Sequence, residues 1–290
     1  MSPSLQFQNG LPCLADHTNG TDATSPRLRG KVTVVTGGAA GIGQDLAQSI
    51  AEAGGDVAIL DIAEGSSCDL VKLANFFGVR AKYYRTDVSD KDKLEQTFNE
   101  VVRDFGHIDG CVTAAGVMVM TDFLDYKWDD AVTTQMINVV GTFMTAQLAA
   151  KQMRLQRSGG SIVMIASVAA HLSSPALPIS AYTASKGAVK ALSHALTVEL
   201  GPMGIRVNTI SPGYIRTSMT GKVTVENPEL ASRFSYEPPL GRMGETRDLT
   251  GAVNFLLCES SSYISGSDIL ITGGLHAGRY AKDREPHVSQ

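Results

Sequence analysis

Seven short segments rich in apolar and β-branched residues recur along this chain, with helical stretches between them. That alternation limits its fold more than any other feature. The segments are Lys31–Thr36, Asp56–Asp61, Lys82–Thr86, Gly110–Ala114, Ser161–Ala166, Arg206–Ile210 and Ile269–Thr272. A strand with one wet face alternates apolar and polar residues. These runs are too uniformly apolar for that, so both faces must be covered. Helical patterns lie at Ile42–Ala53, Lys91–Phe105, Trp128–Gln152, Ala181–Leu200 and Arg247–Leu257, each closing near a Gly or Pro. The expected fold is therefore α/β, a single-domain doubly wound parallel sheet with helices on both faces.

The body of that domain spans residues 30–276 in this reading. Residues 1–29, rich in Ser, Thr, Asn, Asp, Gly and Pro, read as a flexible arm, and residues 277–290 as a polar, mobile tail. Tyr214–Pro239 interrupts the alternation as a long irregular insert, the usual form of a substrate loop.

Charge and cysteine usage narrow the partners. Twenty-five basic residues against twenty-nine acidic ones give a net charge of -4, so the basic excess that holds nucleic acid or an anionic membrane surface is missing. No apolar run approaches the roughly 20 residues of a membrane helix, and the first residues lack the basic-then-apolar order of a signal peptide. A cytoplasmic protein is expected, and the sequon at Asn19-Gly20-Thr21 has no secretory signal beside it. Cys13, Cys68, Cys111 and Cys258 show no metal or Cys-x-x-Cys spacing and read as packing thiols, with no metal site.

Chemistry enters at Thr36-Gly37-Gly38-Ala39-Ala40-Gly41-Ile42-Gly43, between the first strand and the first helix. Glycines there permit a sharp turn and let phosphate oxygens approach backbone N–H groups at a helix N-terminus. This is the dinucleotide turn of a Rossmann fold. Asp61 closes the next strand, where a carboxylate accepts hydrogen bonds from the adenosine ribose hydroxyls. A 2′-phosphate beside it would meet about 1 to 4 kcal/mol of repulsion, and neighbouring Ile62 and Ala40 offer no cation to offset this. NAD is expected over NADP.

Tyr182 and Lys186 stand four residues apart at the start of a helix and share one face. A tyrosine with a pKa near 10 needs roughly 3 to 4 kcal/mol of help to exchange protons near neutrality. An ammonium about 4 Å away, at an effective dielectric of about 20, supplies about that much. Ser167 closes the strand Ser161–Ala166 at the edge where open α/β sheets bind ligands, and Asn138 is a polar residue inside a long helix.

In this order the motifs resemble the short-chain dehydrogenase/reductase family over about residues 28 to 275. The resemblance implies that Gly37, Gly41, Ile42 and Gly43 cradle the pyrophosphate, that Asp61 and Ile62 meet the ribose, and that Asp87 and Val88 meet the adenine. It assigns Ala114, Ala115 and Gly116 to the cofactor wall, and Pro212, Gly213, Ile215 and Thr217 to the nicotinamide side. It makes Asn138, Ser167, Tyr182 and Lys186 the catalytic set: Tyr182 as general acid and base, Lys186 also on the nicotinamide ribose, and Asn138 positioning a water that relays protons. One departure stands out. The family's Asn-Asn-Ala-Gly is Thr113-Ala114-Ala115-Gly116 here, which loses a sheet-bracing amide. The strings Arg206–Thr217 and Pro239-Leu240-Gly241-Arg242 are also similar to fungal and yeast carbonyl, sorbose and polyol reductases of that family.

The implied activity is interconversion of a secondary alcohol and a ketone, with oxidation as the physiological direction. Candidate substrate contacts are Met118, Met120, Leu172, Leu177, Tyr214, Met219 and Phe234, an apolar lining that suits a lipophilic alcohol better than a free sugar. His171 reads as a solvent-facing loop residue. The alternatives are a polyol, sugar or carbonyl reductase of the same family, or a non-catalytic NAD-binding regulator. A methyltransferase would have no need of the Tyr/Lys pair. The resemblance also implies a homotetramer or homodimer packed through the helices at Trp128–Gln152 and Ala181–Leu200. The second of these is apolar on nearly every side, at Ala184, Ala188, Val189, Leu192, Ala195, Leu196 and Val198.

Overall fold

The computed structural model describes residues 28–66, 69–174 and 176–279. Cys13, Cys68, the sequon, most of the N-terminal arm and residues 280–290 lie outside them. The strands are β1 (Val32–Thr36), β2 (Asp56–Asp61), β3 (Ala81–Arg85), β4 (Gly110–Thr113), β5 (Gly160–Ile165), β6 (Ile205–Pro212), β7 (Ile215–Arg216), β8 (Gly244–Glu245) and β9 (Asp268–Ile271). Seven of them form one parallel sheet in the order β3-β2-β1-β4-β5-β6-β9, while β7 and β8 make a separate two-residue ladder. The helices are α1 (Gly41–Glu52), α2 (Leu70–Phe77), α3 (Lys91–Phe105), α4 (Trp128–Gln135), α5 (Thr142–Gln156), α6 (Ser180–Leu200), α7 (Ser218–Glu226), α8 (Pro228–Tyr236) and α9 (Arg247–Leu257).

Strand residues alternate between two apolar layers. Val34, Cys111, Ile162 and Met164 pack with Leu94 and Phe98 of α3, Met153 of α5 and Val189 of α6. Val35, Val112, Val163 and Ile165 pack with Leu46 and Ile50 of α1 and Leu249 and Val253 of α9. Each fully buried Val, Leu or Ile contributes about 1.5 to 3 kcal/mol. Central strands with both faces in such layers carry no polar alternation, which is why they read as continuous apolar runs. The Cys111 thiol is part of this packing, and burial pushes its pKa up to about 12.

The structure departs from the sequence reading in several places. The body already includes Leu28, which is buried and whose N–H donates to the Ala53 carbonyl at 3.0 Å. Helix α2 was not anticipated, because it is short and buries only Leu73. Its signals are its caps: Asp69 accepts from the Lys72 N–H, and Gly78 takes the left-handed conformation at the other end. The segment expected as an irregular insert holds α7 and α8. Asn227 caps α8 by accepting from the Leu230 N–H at 3.0 Å, with Pro228 in the first turn. The long helix expected at Trp128–Gln152 runs without interruption to Gln156, but Met136–Gly141 widen into a π-helical turn between α4 and α5. Among the described residues, no helix is long and apolar enough to cross a membrane.

Candidate active site

β1 and β4 are neighbours, and the connections from their C-terminal ends run in opposite directions, to β2 and to β5, which opens a crevice there. Gly37 follows β1 into this crevice with φ +69°, and a Cβ on it would stand 2.7 Å from the Ala115 backbone. Gly41 also has positive φ, and a Cβ there would meet nothing closer than Thr217 at 3.8 Å. Backbone atoms thus floor a cleft of about 330 Å³ between Gly37, Gly41, Ile42 and Gly43 on one side and Ala114, Ala115 and Gly116 on the other. Cofactor phosphates need such a floor of bare N–H groups at a helix start, and the residues present fit NAD(P).

Asp61 and Ile62 line one end of the cleft, beside Asp87 and Val88. The Asp61 carboxylate accepts from the Ala39 and Ala63 N–H groups, each at 3.0 Å, which fixes its direction and leaves lone pairs free. Asp87 accepts from the Ser89 N–H at 2.8 Å and from the Ser89 hydroxyl at 2.7 Å. Ile62 and Ala40 bring no cation, but the neighbouring strand does. Arg85 is the register partner of Asp61, donates from Nε to the Ile62 carbonyl at 3.4 Å, and pairs with Glu64 at 3.1 Å.

Lys186 and Tyr182 lie one turn apart on α6, the Lys186 Nζ 5.7 Å from the Tyr182 ring centroid. Lys186 is buried and donates to the Ile165 carbonyl at 2.8 Å, and burial lowers its pKa to about 8. Burial also pushes the Tyr182 phenol up, against a smaller downward pull from its hydrogen bond with Ser167. This differs from the expectation of a depressed phenol: in the protein alone, desolvation of the phenolate outweighs the Ser167 hydrogen bond. Ser167 stands at the start of a short 3-10 turn, its Oγ accepting from the Ala169 N–H at 3.1 Å.

Asn138 sits in the π-helical turn, fully buried. Its Oδ1 accepts from the Val117 N–H, and its Nδ2 donates to the Val117 carbonyl and to Ser185 Oγ, all at 2.9 Å. Ser185 in turn donates to the Tyr182 carbonyl at 2.7 Å. The widened turn therefore ties the end of β4 to α6, and Ser185 is a link that the motif reading missed. Thr113, which replaces an asparagine of the family pattern, has a buried hydroxyl with no hydrogen-bond partner.

A second cavity of about 570 Å³ shares Tyr182, Ile42, Thr217 and Met219 with the cleft. Ser167 opens into this cavity and Lys186 into the cleft, so Tyr182 stands where the two meet. Of the expected substrate contacts, Met118, Leu172, Leu177, Tyr214, Met219 and Phe234 line the second cavity, whereas Met120 packs against the apolar cluster around Tyr214 and Phe234. Pro212 and Thr217 line the cleft, but Gly213 and Ile215 face the second cavity. Gly213 also has a packing reason, since a Cβ would stand 2.8 Å from Thr272 Cα. His171 lines neither space. It is an exposed residue, as expected, and its ring is held at β9, where Nε2 meets the Asp268 carboxylate at 2.7 Å and Nδ1 meets Lys190 at 3.3 Å.

A glycine-floored crevice at the switch point of a parallel sheet calls for a dinucleotide, and a proton-carrying side chain at its inner end calls for redox chemistry. The class so defined is a dinucleotide-dependent oxidoreductase. A family model described as enoyl-(acyl carrier protein) reductase matches residues 37–276. Sorbose reductase from Schizosaccharomyces pombe is 34% identical over 250 residues, covering 85% of this chain and 96% of that protein. L-rhamnose 1-dehydrogenase (NAD(P)(+)) from Sphingomonas sp. is 33% identical, covering 86% of this chain and 97% of its own length. A short-chain type dehydrogenase/reductase from Mycobacterium marinum superposes with a TM-score of 0.79 at 36% identity, covering 87% and 97% of the two chains. The chain belongs to the short-chain dehydrogenase/reductase family and is an NAD(P)-dependent oxidoreductase acting on CH–OH groups.

Proposed function

We propose that the protein is an NAD-linked dehydrogenase that reversibly oxidises lipophilic secondary alcohols to ketones, with Tyr182 as general acid and base. The observation that carries this reading is the position of Tyr182 at the junction of the two cavities, together with the lining of the second. Among the described residues, no charged side chain lines that cavity. A sugar acid would leave its charge there without a matched partner, while Met118, Leu172, Leu177, Met219 and Phe234 offer apolar surface to the hydrocarbon part of an alcohol. Asp61 supports NAD, because its fixed carboxylate suits a ribose diol and repels a phosphate. Arg85, the cation on the neighbouring strand, does not line the cleft and meets Glu64 instead, in an exposed pair.

When bound, NAD supplies a hydride acceptor. The protein's part is to hold the alcohol and move its proton. Ser167 Oγ orients the substrate oxygen and stabilises its developing charge. Tyr182 takes the hydroxyl proton in oxidation and returns it in reduction. The Lys186 ammonium, one helical turn from Tyr182, favours the phenolate and would hold the nicotinamide ribose. Asn138 keeps the run after β4 and α6 in place, and the remaining lone pair of its Oδ1 would serve a water that relays protons to and from Lys186. Asp87 and Val88 would border the adenine, and Pro212 and Thr217 the nicotinamide, with Ile215 on the substrate side of the ring.

A sugar or polyol reductase is the second reading, favoured by the names of the sorbose and rhamnose enzymes this chain is similar to. Following NADH formation with long-chain secondary alcohols beside sorbitol and rhamnose separates the two. The proposal expects kcat/KM for the apolar alcohols to exceed that for the sugars by at least about tenfold. Tyr182→Phe should lower kcat by about 10² to 10⁴ while NADH still binds. Turnover near the wild-type rate by that variant would overturn the mechanism.

The assembly we propose is a homodimer or homotetramer joined through α4, α5 and α6. Trp128, Val132, Met136, Val140 and Phe143 form an exposed apolar stripe along α4 and α5, and Ala184, Ala195 and Val198 are exposed on α6. Light scattering that reports a monomer at micromolar concentration would contradict it.

A further inference from the structure

One buried carboxylate lies outside the chemistry described so far. Glu237, just past α8, is 5% exposed. An unpaired charge at that depth is costly, so its partners carry information. The Tyr214 phenol donates to Glu237 Oε2 at 3.1 Å, Arg279 Nε lies 3.8 Å from the same oxygen, and Arg233 lies 4.0 Å from the other. Arg279 also donates from Nη2 to the Ser173 carbonyl at 2.9 Å. Ser174 donates to the Tyr214 phenol, whose pKa is pushed up to about 12 mainly by burial and by Glu237. Four segments distant in sequence therefore converge here: the loop after β5, the turn between β6 and β7, the end of α8, and the chain after β9.

Every one of those segments except the last lends a wall to the second cavity. Ser173, Ser174, Tyr214 and Phe234 line it, and the Tyr214 and Phe234 rings stack at 4.3 Å. Arg279 does not touch the cavity, yet it spans two of its walls. It lies beyond residue 276, where the family match ends.

We propose that Arg279 is a specificity-determining positioning residue: through Glu237 and Ser173 it holds Tyr214 and the loop after β5 at a fixed separation, and so sets the width of the substrate cavity. The inference rests on the reading of that cavity as the substrate site. The segment expected to be a mobile tail is, at this residue, a brace. The guanidinium is suited to the task, because its planar fork serves a carboxylate and a carbonyl together, whereas a lysine ammonium reaches one point.

The test is steady-state oxidation at saturating NAD, with short- and long-chain secondary alcohols, by wild type, Arg279→Ala, Arg279→Lys and Tyr214→Phe. Loosening the walls should raise KM for the long-chain alcohols about tenfold in Arg279→Ala, with kcat and the KM for NAD changed less than about twofold. Arg279→Lys should recover part of that loss. Tyr214→Phe keeps the stacked ring and removes one bond to Glu237. It should shift the same constant in the same direction, and less than additively when combined with Arg279→Ala. If Arg279→Ala does not fold, Tyr214→Phe and Arg279→Lys carry the test. Unchanged constants in these variants, or equal rises in KM for NAD and for short and long alcohols, would overturn the brace. A wild-type enzyme that oxidises none of the lipophilic alcohols would instead sink the proposed function.

Discussion

Around the cofactor cleft much of the wall comes from strand ends: the turn after β1, the run after β4 and the end of β2, each fixed by the central sheet. Around the second cavity the wall comes mainly from the loop after β5, the start of α6, the β6–β7 turn and α7–α8. The first surface suits a ligand that does not vary, since its shape follows from strand register. The second can change its lining without disturbing the sheet, which is how one framework serves many substrates. Tyr182 belongs to both, so changes on either side should separate binding of the cofactor from turnover of the alcohol.

The largest separation is expected at Ser167. Ser167→Ala removes a donor to the substrate oxygen while the cleft stays whole, so kcat should fall by about 10² to 10³ with the Kd for NADH unchanged. A matching loss of NADH affinity would break the division between the two surfaces.

Lys186 sharpens it from the other side, by setting function against stability. Its folded pKa of about 8 lies below the ordinary 10.5, so the folded protein releases that proton before the unfolded chain does. Below about pH 8 the fold carries a buried ammonium at full cost, and stability from this group rises as pH climbs from about 8 to 10.5. Lys186→Met should be inactive yet more stable by about 3 kcal/mol at neutral pH, with the gain fading toward pH 10.5. Urea unfolding at neutral pH and near pH 10.5 measures both the sign and the fading.

A smaller effect is expected at Asp61. Asp61→Ala should weaken NADH binding about tenfold and NADPH binding less, narrowing the gap between them, as titration of both nucleotides would read. The smallest lies beneath the cleft. Thr113→Val replaces a hydroxyl that has no partner with a methyl of similar volume, and should stabilise the fold by about 1 kcal/mol without changing either KM. Destabilisation there would mean that the hydroxyl is satisfied after all.

Much of the first surface was readable in advance because its signals are local. Gly37, Gly41 and Gly43 are spaced within one turn, Asp61 closes the next strand, and Tyr182 and Lys186 are one helical turn apart. The seven sheet strands were readable for the same reason, since a run buried on both faces carries its environment in its composition. The second surface was readable only in part. Met118, Leu172 and Phe234 could be named as apolar residues of the strand-end segments, but Phe123 and Ile179 could not, since nothing near them in sequence marks what they meet across the fold. The widened turn at Met136–Gly141 was hidden too, since its residues keep helical patterning while Asn138 turns toward Val117 and Ser185.

By itself the sequence determined the class of fold, the seven sheet strands with the longer helices between them, and the dinucleotide turn, because each depends on periodicity or spacing over a few residues. Only the tertiary structure decided which side chains share a cavity and which charge faces which. It paired His171 with Asp268, set Arg85 opposite Asp61, and brought Arg279 to Glu237. It also reversed the direction of the Tyr182 shift. Those outcomes depend on desolvation and on contacts between segments far apart in the chain, and neither quantity exists until the layers close.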